Sequence, residues 1–155
     1  MTVLNAKPKT GLVLRARSAG DMMSVNPISV RHEASIREAV VLMTDRGIPA
    51  APVIDDKGRP IGVISISDVL VHNREYVAFL RANDSRANEF LPDLTDLTTA
   101  AEIMTPTVFT VQPDTPAAQV VRNLIELKVH HLFVSDREGT LVGVISAGDV
   151  LRHLN

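Results

Sequence analysis

A gapless internal repeat limits what this chain can fold into more than any other feature. The segment Gly62-Val63-Ile64-Ser65-Ile66-Ser67-Asp68-Val69-Leu70 returns as Gly143-Val144-Ile145-Ser146-Ala147-Gly148-Asp149-Val150-Leu151, an offset of 81 residues. The same offset pairs Met23 with Met104, Val30 with Val111, Val53 with Val134, Asp55 with Asp136, Gly58 with Gly139 and His72 with His153. Over residues 18–72 against 99–153, 15 of 55 aligned positions are identical, and many others exchange Val, Ile, Leu and Met. Chance does not hold one register for so long. A solenoid usually needs three or more repeats, so two copies point to a pair related by a pseudo-twofold axis. The expected division is a tail or extra strand at 1–17, one copy at 18–72, a connecting insertion at 73–98 and the second copy at 99–155.

Each copy reads as strand, helix, strand, strand, helix, preceded by one short turn. Ser18 with Asp21, and Thr99 with Glu102, fit a helix start in which hydroxyl and carboxylate cap the turn. Extended pieces follow at Pro27–Val30 and Val108–Val111. In the first copy Ser35 and Glu38 form a capping pair, Ile36, Val40 and Met43 mark one helix face, and Gly47 is placed to stop it. In the second, Thr115-Pro116 supplies a cap and a proline at the first helical position. Two apolar runs, Ala51–Ile54 and Pro60–Ile66, flank Asp55-Asp56-Lys57-Gly58, and Ser135 to Gly139 is the matching turn, which is hairpin chemistry. A second helix opens at Ser67-Asp68 and at Gly148-Asp149. Within 73–98, Tyr76, Val77, Phe79 and Leu80, then Ala87, Phe90 and Leu91, recur at helical spacing, with Asn83-Asp84 a candidate break and Pro92 a candidate end.

Composition narrows the function classes. The 155 residues are 45% apolar, with four Phe, one Tyr and no Trp, an aliphatic bias that suits strands packed on helices. There is no Cys, which excludes disulfides, thiolate zinc sites and cysteine nucleophiles, and a reducing cytoplasm fits best. A net charge of −2 supplies no basic field for nucleic acid. No apolar run reaches the roughly 18 residues a membrane span needs. His32, His72 and His153 are scattered, so no metal site is expected, and Met22, Met23, Met43 and Met104 read as core filler. No phosphate-binding loop, dinucleotide fingerprint or nucleophile elbow is present, so an enzyme is not expected.

The repeated signature carries its own chemistry. A helix N-terminus attracts phosphate through its free N–H groups, and a hydroxyl just before it binds the same anion. An ionised Asp accepts two hydrogen bonds, matching the two donors of a ribose cis-diol. Ser65, Ser67 and Asp68 thus form one candidate ribose and phosphate grip. Ser146 and Asp149 form a second, poorer by one hydroxyl because Gly148 stands where Ser67 does. Gly62 and Gly143 let the backbone approach a ligand or a neighbouring strand. The plainer reading is that both aspartates simply favour the first turn of their helices.

A glycine, an apolar pair, a hydroxyl residue and an Asp six positions after the glycine, in both copies and in this element order, resemble the CBS motif. The resemblance covers 18–72 and 99–153. It implies an α/β fold of two βαββα motifs packed through their sheets with helices outside, a Bateman module, with two symmetry-related clefts and frequent pairing into homodimers. Its ligands include AMP, ADP, ATP and S-adenosylmethionine, bound as regulatory ligands rather than required cofactors. His130-His131 stands where such motifs often carry a His or Arg for phosphate; the first copy has Pro49-Ala50 there. Neighbouring strand residues face opposite ways, so at most one of the two histidines enters a given cleft. The expected function is a cytoplasmic regulatory module sensing an adenine nucleotide or adenosyl ligand and acting on an unidentified partner. The alternative is a dimerisation or docking scaffold with empty clefts.

Overall fold

The computed structural model describes residues 11–83 and 97–155, with 75–83 as backbone only. The first copy contains α1 (Ala19–Met22), β1 (Ser24–Val25), β2 (Val30–Arg31), α2 (Ile36–Arg46), β3 (Ala50–Ile54), β4 (Pro60–Ser65) and α3 (Ile66–Asn83). The second contains α4 (Ala100–Ile103), β5 (Thr110–Val111), α5 (Ala117–Glu126), β6 (His131–Ser135), β7 (Leu141–Ser146) and α6 (Ala147–Arg152). The expected order holds in both. The linker helix is not separate from the first copy's last helix, because α3 runs unbroken through His72 to Asn83. Asp84 of the candidate break, the helical spacing of Ala87, Phe90 and Leu91, and the candidate end at Pro92 lie outside the described residues.

Local chemistry explains the boundaries. Ser35 Oγ accepts from Glu38 N–H at 3.1 Å while the Glu38 carboxylate accepts from Ser35 N–H at 3.2 Å, the reciprocal cap expected for α2. Gly47 ends that helix at φ 63°. The second copy has no glycine there, and Lys128, 81 residues on, takes φ 54°. In α5 the helix opens one residue later than expected: Pro116 is the N-cap, and Thr115 Oγ1 accepts instead from Gln112 N–H at 3.0 Å. Both hairpins close the same way. Asp55 Oδ1 accepts from the N–H groups of Lys57 and Arg59, and Asp136 Oδ1 from those of Glu138 and Thr140, all at 2.9 Å.

The opening turns depart from expectation in an informative way. Neither Ser18 nor Thr99 makes a side-chain cap bond. The first N–H groups of each turn are satisfied by the other copy: Ala19 and Gly20 donate to Thr115 O and Pro113 O at 2.8 Å, and Ala100 and Ala101 to Ala34 O and His32 O at 2.8 and 3.1 Å. In return, Arg17 O and Thr98 O accept from Ala117 and Ile36, the first residues of α5 and α2. A buried donor needs an acceptor, and a carbonyl from the partner repeat leaves the hydroxyl no role.

The sheets follow the same exchange. One has the order β2-β3-β4, parallel then antiparallel; the other has β1-β7-β6-β5. Its β1 belongs to the first copy and pairs antiparallel with β7, Ser24 opposite Val144. The counterpart is Val63 bridged to Thr105. Each core is correspondingly mixed: Ala19 and Met22 pack with Val120, Leu124, Leu132, Val134 and Ile145, while Ala100, Ile103 and Met104 pack with Ile36, Met43, Val53 and Ile64. Part of the N-terminal segment lies on the second copy, with Leu14 bridged to Leu154 and Val13 exchanging backbone bonds with Asn155.

Candidate functional site

The glycines of the signature serve strand approach. A Cβ at Gly62 would stand 2.7 Å from Thr105 O and clash with Met104 Sδ; one at Gly143 would stand 2.6 Å from Met23 Sδ. The segment just after the opening turn of the opposite copy, Met104-Thr105 or Met23, therefore packs directly against each.

Each predicted grip sits where the hairpin's second strand becomes the following helix. The Asp68 carboxylate accepts from Ser65 N–H at 2.9 Å, and Ser65 Oγ accepts from Asp68 N–H at 3.1 Å. Asp149 and Ser146 repeat this at 2.8 and 3.1 Å. These reciprocal caps account for the Ser-x-x-Asp spacing on their own. Asp149 also accepts from Ser146 Oγ at 3.0 Å, pairs with Arg152 Nη2 at 3.1 Å and is 8% exposed, whereas Asp68 is half-buried. Ser67 lies exposed in the first turn of α3, as Gly148 does in α6.

The histidines join the second grip. His131 opens β6 directly across from Ser146, so the two side chains share a face of the sheet, and His130 O accepts from Ala147 N–H at 3.1 Å. Both imidazoles are exposed. In the first copy Ala50 faces Ser65 and Pro49 O accepts from Ile66 N–H at 3.0 Å, the same backbone without a cation.

One cluster is not visible in the sequence, because His32 and Asp56 stand 24 residues apart. His32 Nε2 lies 2.8 Å from Glu33 Oε2 and 3.0 Å from Asp56 Oδ1, close enough for the three to hold a metal ion. Arg31 competes for both carboxylates, at 2.7 Å from Glu33 and 3.6 Å from Asp56. Its guanidinium holds the Glu33 carboxyl below the usual carboxylate range. The group is an exposed ion-pair network, and the facing hairpin turn, not sequence spacing, brings Asp56 to it.

Two grooves lie elsewhere. One, of about 590 Å³, is lined by α5, β5 and both hairpin turns; the other, of about 320 Å³, is its counterpart beside α2 and β2. Neither is lined by a predicted grip residue.

A family model described as CBS domain matches the chain twice, at residues 19–74 and 100–155. The chain belongs to the CBS-domain family. It is similar to the uncharacterised protein MJ1426 of Methanocaldococcus jannaschii, 25% identical over 99% of this chain and 98% of that one. It is 32% identical to the magnesium transporter MgtE of Thermus thermophilus over 86% of this chain and only 26% of the transporter. The crystal structure of the Arabidopsis thaliana CBS-pair protein CBSX2 in complex with AMP superposes with a TM-score of 0.68 at 26% identity, over 88% of this chain and 95% of that chain. The cytosolic domain of MgtE in complex with ATP gives 0.66 at 29% identity, over 88% of this chain and 48% of that one. No helix among the described residues is long and apolar enough to cross a membrane.

Proposed function

We propose that this CBS pair is a regulatory module, not a catalyst, that binds an adenine nucleotide or S-adenosylmethionine beside its Ser-x-x-Asp turns and changes the packing of its two copies on binding. The observation that carries the reading is the clustering of His131, Ser146 and Asp149 at one strand end, with Ser65, Ser67 and Asp68 at the equivalent end of the other sheet. Similarity to proteins crystallised with AMP and with ATP supports the ligand class. The Asp149 carboxylate already takes three donors from Ser146 and Arg152 in its own copy, so the Asp68 end supplies the ribose contact and the histidine end the phosphate contact. The exposed Leu70, Val71 and Leu151, on the last helix of each copy, give the module an apolar face for a homodimer. The cysteine-free composition suits a cytoplasmic setting.

The scaffold reading retains one supporting observation: both aspartates work as helix caps without any ligand. Calorimetric titration of protein stripped of co-purified ligand with AMP, ATP and S-adenosylmethionine separates the two. Saturable binding of at least one adenosyl compound is expected. Heat indistinguishable from dilution with all three would leave the scaffold.

A further inference from the structure

The two copies differ in chemistry at the end of the sheets away from the Ser-x-x-Asp turns. The larger groove lies where α5 begins, against β5, with the hairpin turn of its own copy on one side and Arg59 of the first copy on the other. Arg59 crosses between the copies, and a Cβ at Gly139 would stand 3.4 Å from its Cδ. The smaller groove shares the backbone and not the chemistry. Where it has Ala34, Glu38 and Leu42, the larger has Thr115, Gln119 and Asn123. Pro113 replaces His32, whose N–H bonds Ile54 O at 3.0 Å, so the second copy cannot make that link between β5 and β6.

Ser135 stands at the position of Ile54. It is 7% exposed, lines the groove, and its Oγ has no hydrogen-bond partner. A buried hydroxyl without a partner is rare in a folded protein and calls for a group to complete it. Arg137, at the mouth, makes no ion pair with any described residue. Arg59 uses Nε on Asp55 at 2.9 Å, and guanidinium donors suit oxyanions. The groove therefore combines two guanidinium groups with neutral amides and hydroxyls and one carboxylate, Asp136, whose Oδ1 is engaged by the Glu138 and Thr140 N–H groups, in a volume within the roughly 300–1,000 Å³ of small-molecule sites.

We propose that this groove is a second ligand site, separate from the adenosyl ends, for a small phosphorylated sugar: the arginines take the phosphate, and Ser135, Gln119 and Asn123 take sugar hydroxyls. Ser135 differs from a structural residue in sign. Its hydroxyl is a cost to the empty protein and a contact in the filled one.

Amide chemical-shift mapping of the intact protein with ribose 5-phosphate, inorganic phosphate and ribose at millimolar concentration tests this. Ribose 5-phosphate should shift Gln119, Asn123, Ser135 and Arg137 saturably, with a concentration dependence separate from any shift at Ser65 and Ser146, and with the two fragments each weaker. Arg137→Ala and Ser135→Ala should each weaken it by roughly tenfold, while Ser135→Ala leaves the empty protein at least as thermally stable as the parent. Asp68→Ala should leave the affinity read at Gln119 and Ser135 unchanged, which separates this site from the adenosyl reading. No saturable shift, shifts confined to the Ser-x-x-Asp ends, or inorganic phosphate binding as tightly as the sugar phosphate would each overturn the proposal.

Discussion

Val63 and Thr105 exchange both of their backbone hydrogen bonds, N–H to O at 2.9 Å in one direction and 2.8 Å in the other, although they belong to different copies. That link holds the edge of β4 closed and sets Met104 across Gly62.

Gly62→Ala should accordingly be the more damaging of the two glycine substitutions. Its new methyl would press on a backbone carbonyl that the Val63 bonds fix, whereas at Gly143 the nearest atoms belong to the Met23 side chain. Overpacking of this kind costs about 1–3 kcal/mol. Urea denaturation should show a clear loss for Gly62→Ala and a smaller one for Gly143→Ala. Equal losses would mean that the Met23 side chain is as immovable as the Thr105 carbonyl.

Lys128→Gly should stabilise the protein. Lys128 holds φ 54° just past the end of α5, where the first copy uses Gly47 at 63°. The left-handed conformation costs an L-residue about 1–2 kcal/mol, part of which the greater freedom of an unfolded glycine offsets. A gain of about 0.5–1 kcal/mol is expected, seen as a midpoint shift of about 1–4 °C on thermal melting. A lower midpoint would contradict it.

For the adenosyl ligand, Asp68→Ala should weaken binding more than Asp149→Ala, by about ten- to a hundredfold, because a hydrogen bond to a charged group contributes about 1.5–3 kcal/mol. Circular dichroism of each variant checks that loss of a helix cap has not unfolded it. His131→Ala should weaken AMP more than adenosine. Equal losses for the two ligands would remove the phosphate role from His131 and leave the ribose role of Asp68 standing.

Asp55 provides an acid-side prediction. The Arg59 backbone N–H, its guanidinium and the Lys57 N–H all favour the charged carboxylate and hold it below its ordinary 3.8. A depressed folded-state value means the stabilisation is complete above about pH 4 and drains away as pH falls through the lowered value. Carbon-detected titration of the Asp55 carboxyl should give a midpoint under 3.8, and Asp55→Asn should flatten the acid limb of the stability curve. A midpoint at or above 3.8 would show that these bonds do not persist in solution.

The repeat made most of the fold legible. Ser35, Glu38 and Gly47 mark α2 by short-range chemistry, and Asp55 and Asp136 mark the hairpins in the same way. What stayed hidden was long-range. Ser18 and Thr99 look like caps because they precede helical turns, but the acceptors those turns use, Thr115 O and Ala34 O, are backbone atoms that no residue type advertises. The Ser-x-x-Asp ends were readable because side chains carry them, although capping geometry and ligand geometry use the same residues there. The Ser135 groove left one usable signal: Ser135 and Asn123 are polar where Ile54 and Leu42 are apolar.

The exchanged opening turns also order events during synthesis. When residues 18–72 have left the ribosome, β4 has an open edge at Val63 and α2 has no acceptor at Ile36, because Thr98 and Thr105 are not yet made. An unpaired edge strand is a template for another chain. The first copy's Ser24–Val25 segment likewise waits for β7, the strand it crosses to. A chain that stopped before Thr98 would therefore keep that edge and the Ile36 N–H without the partners that the second copy supplies.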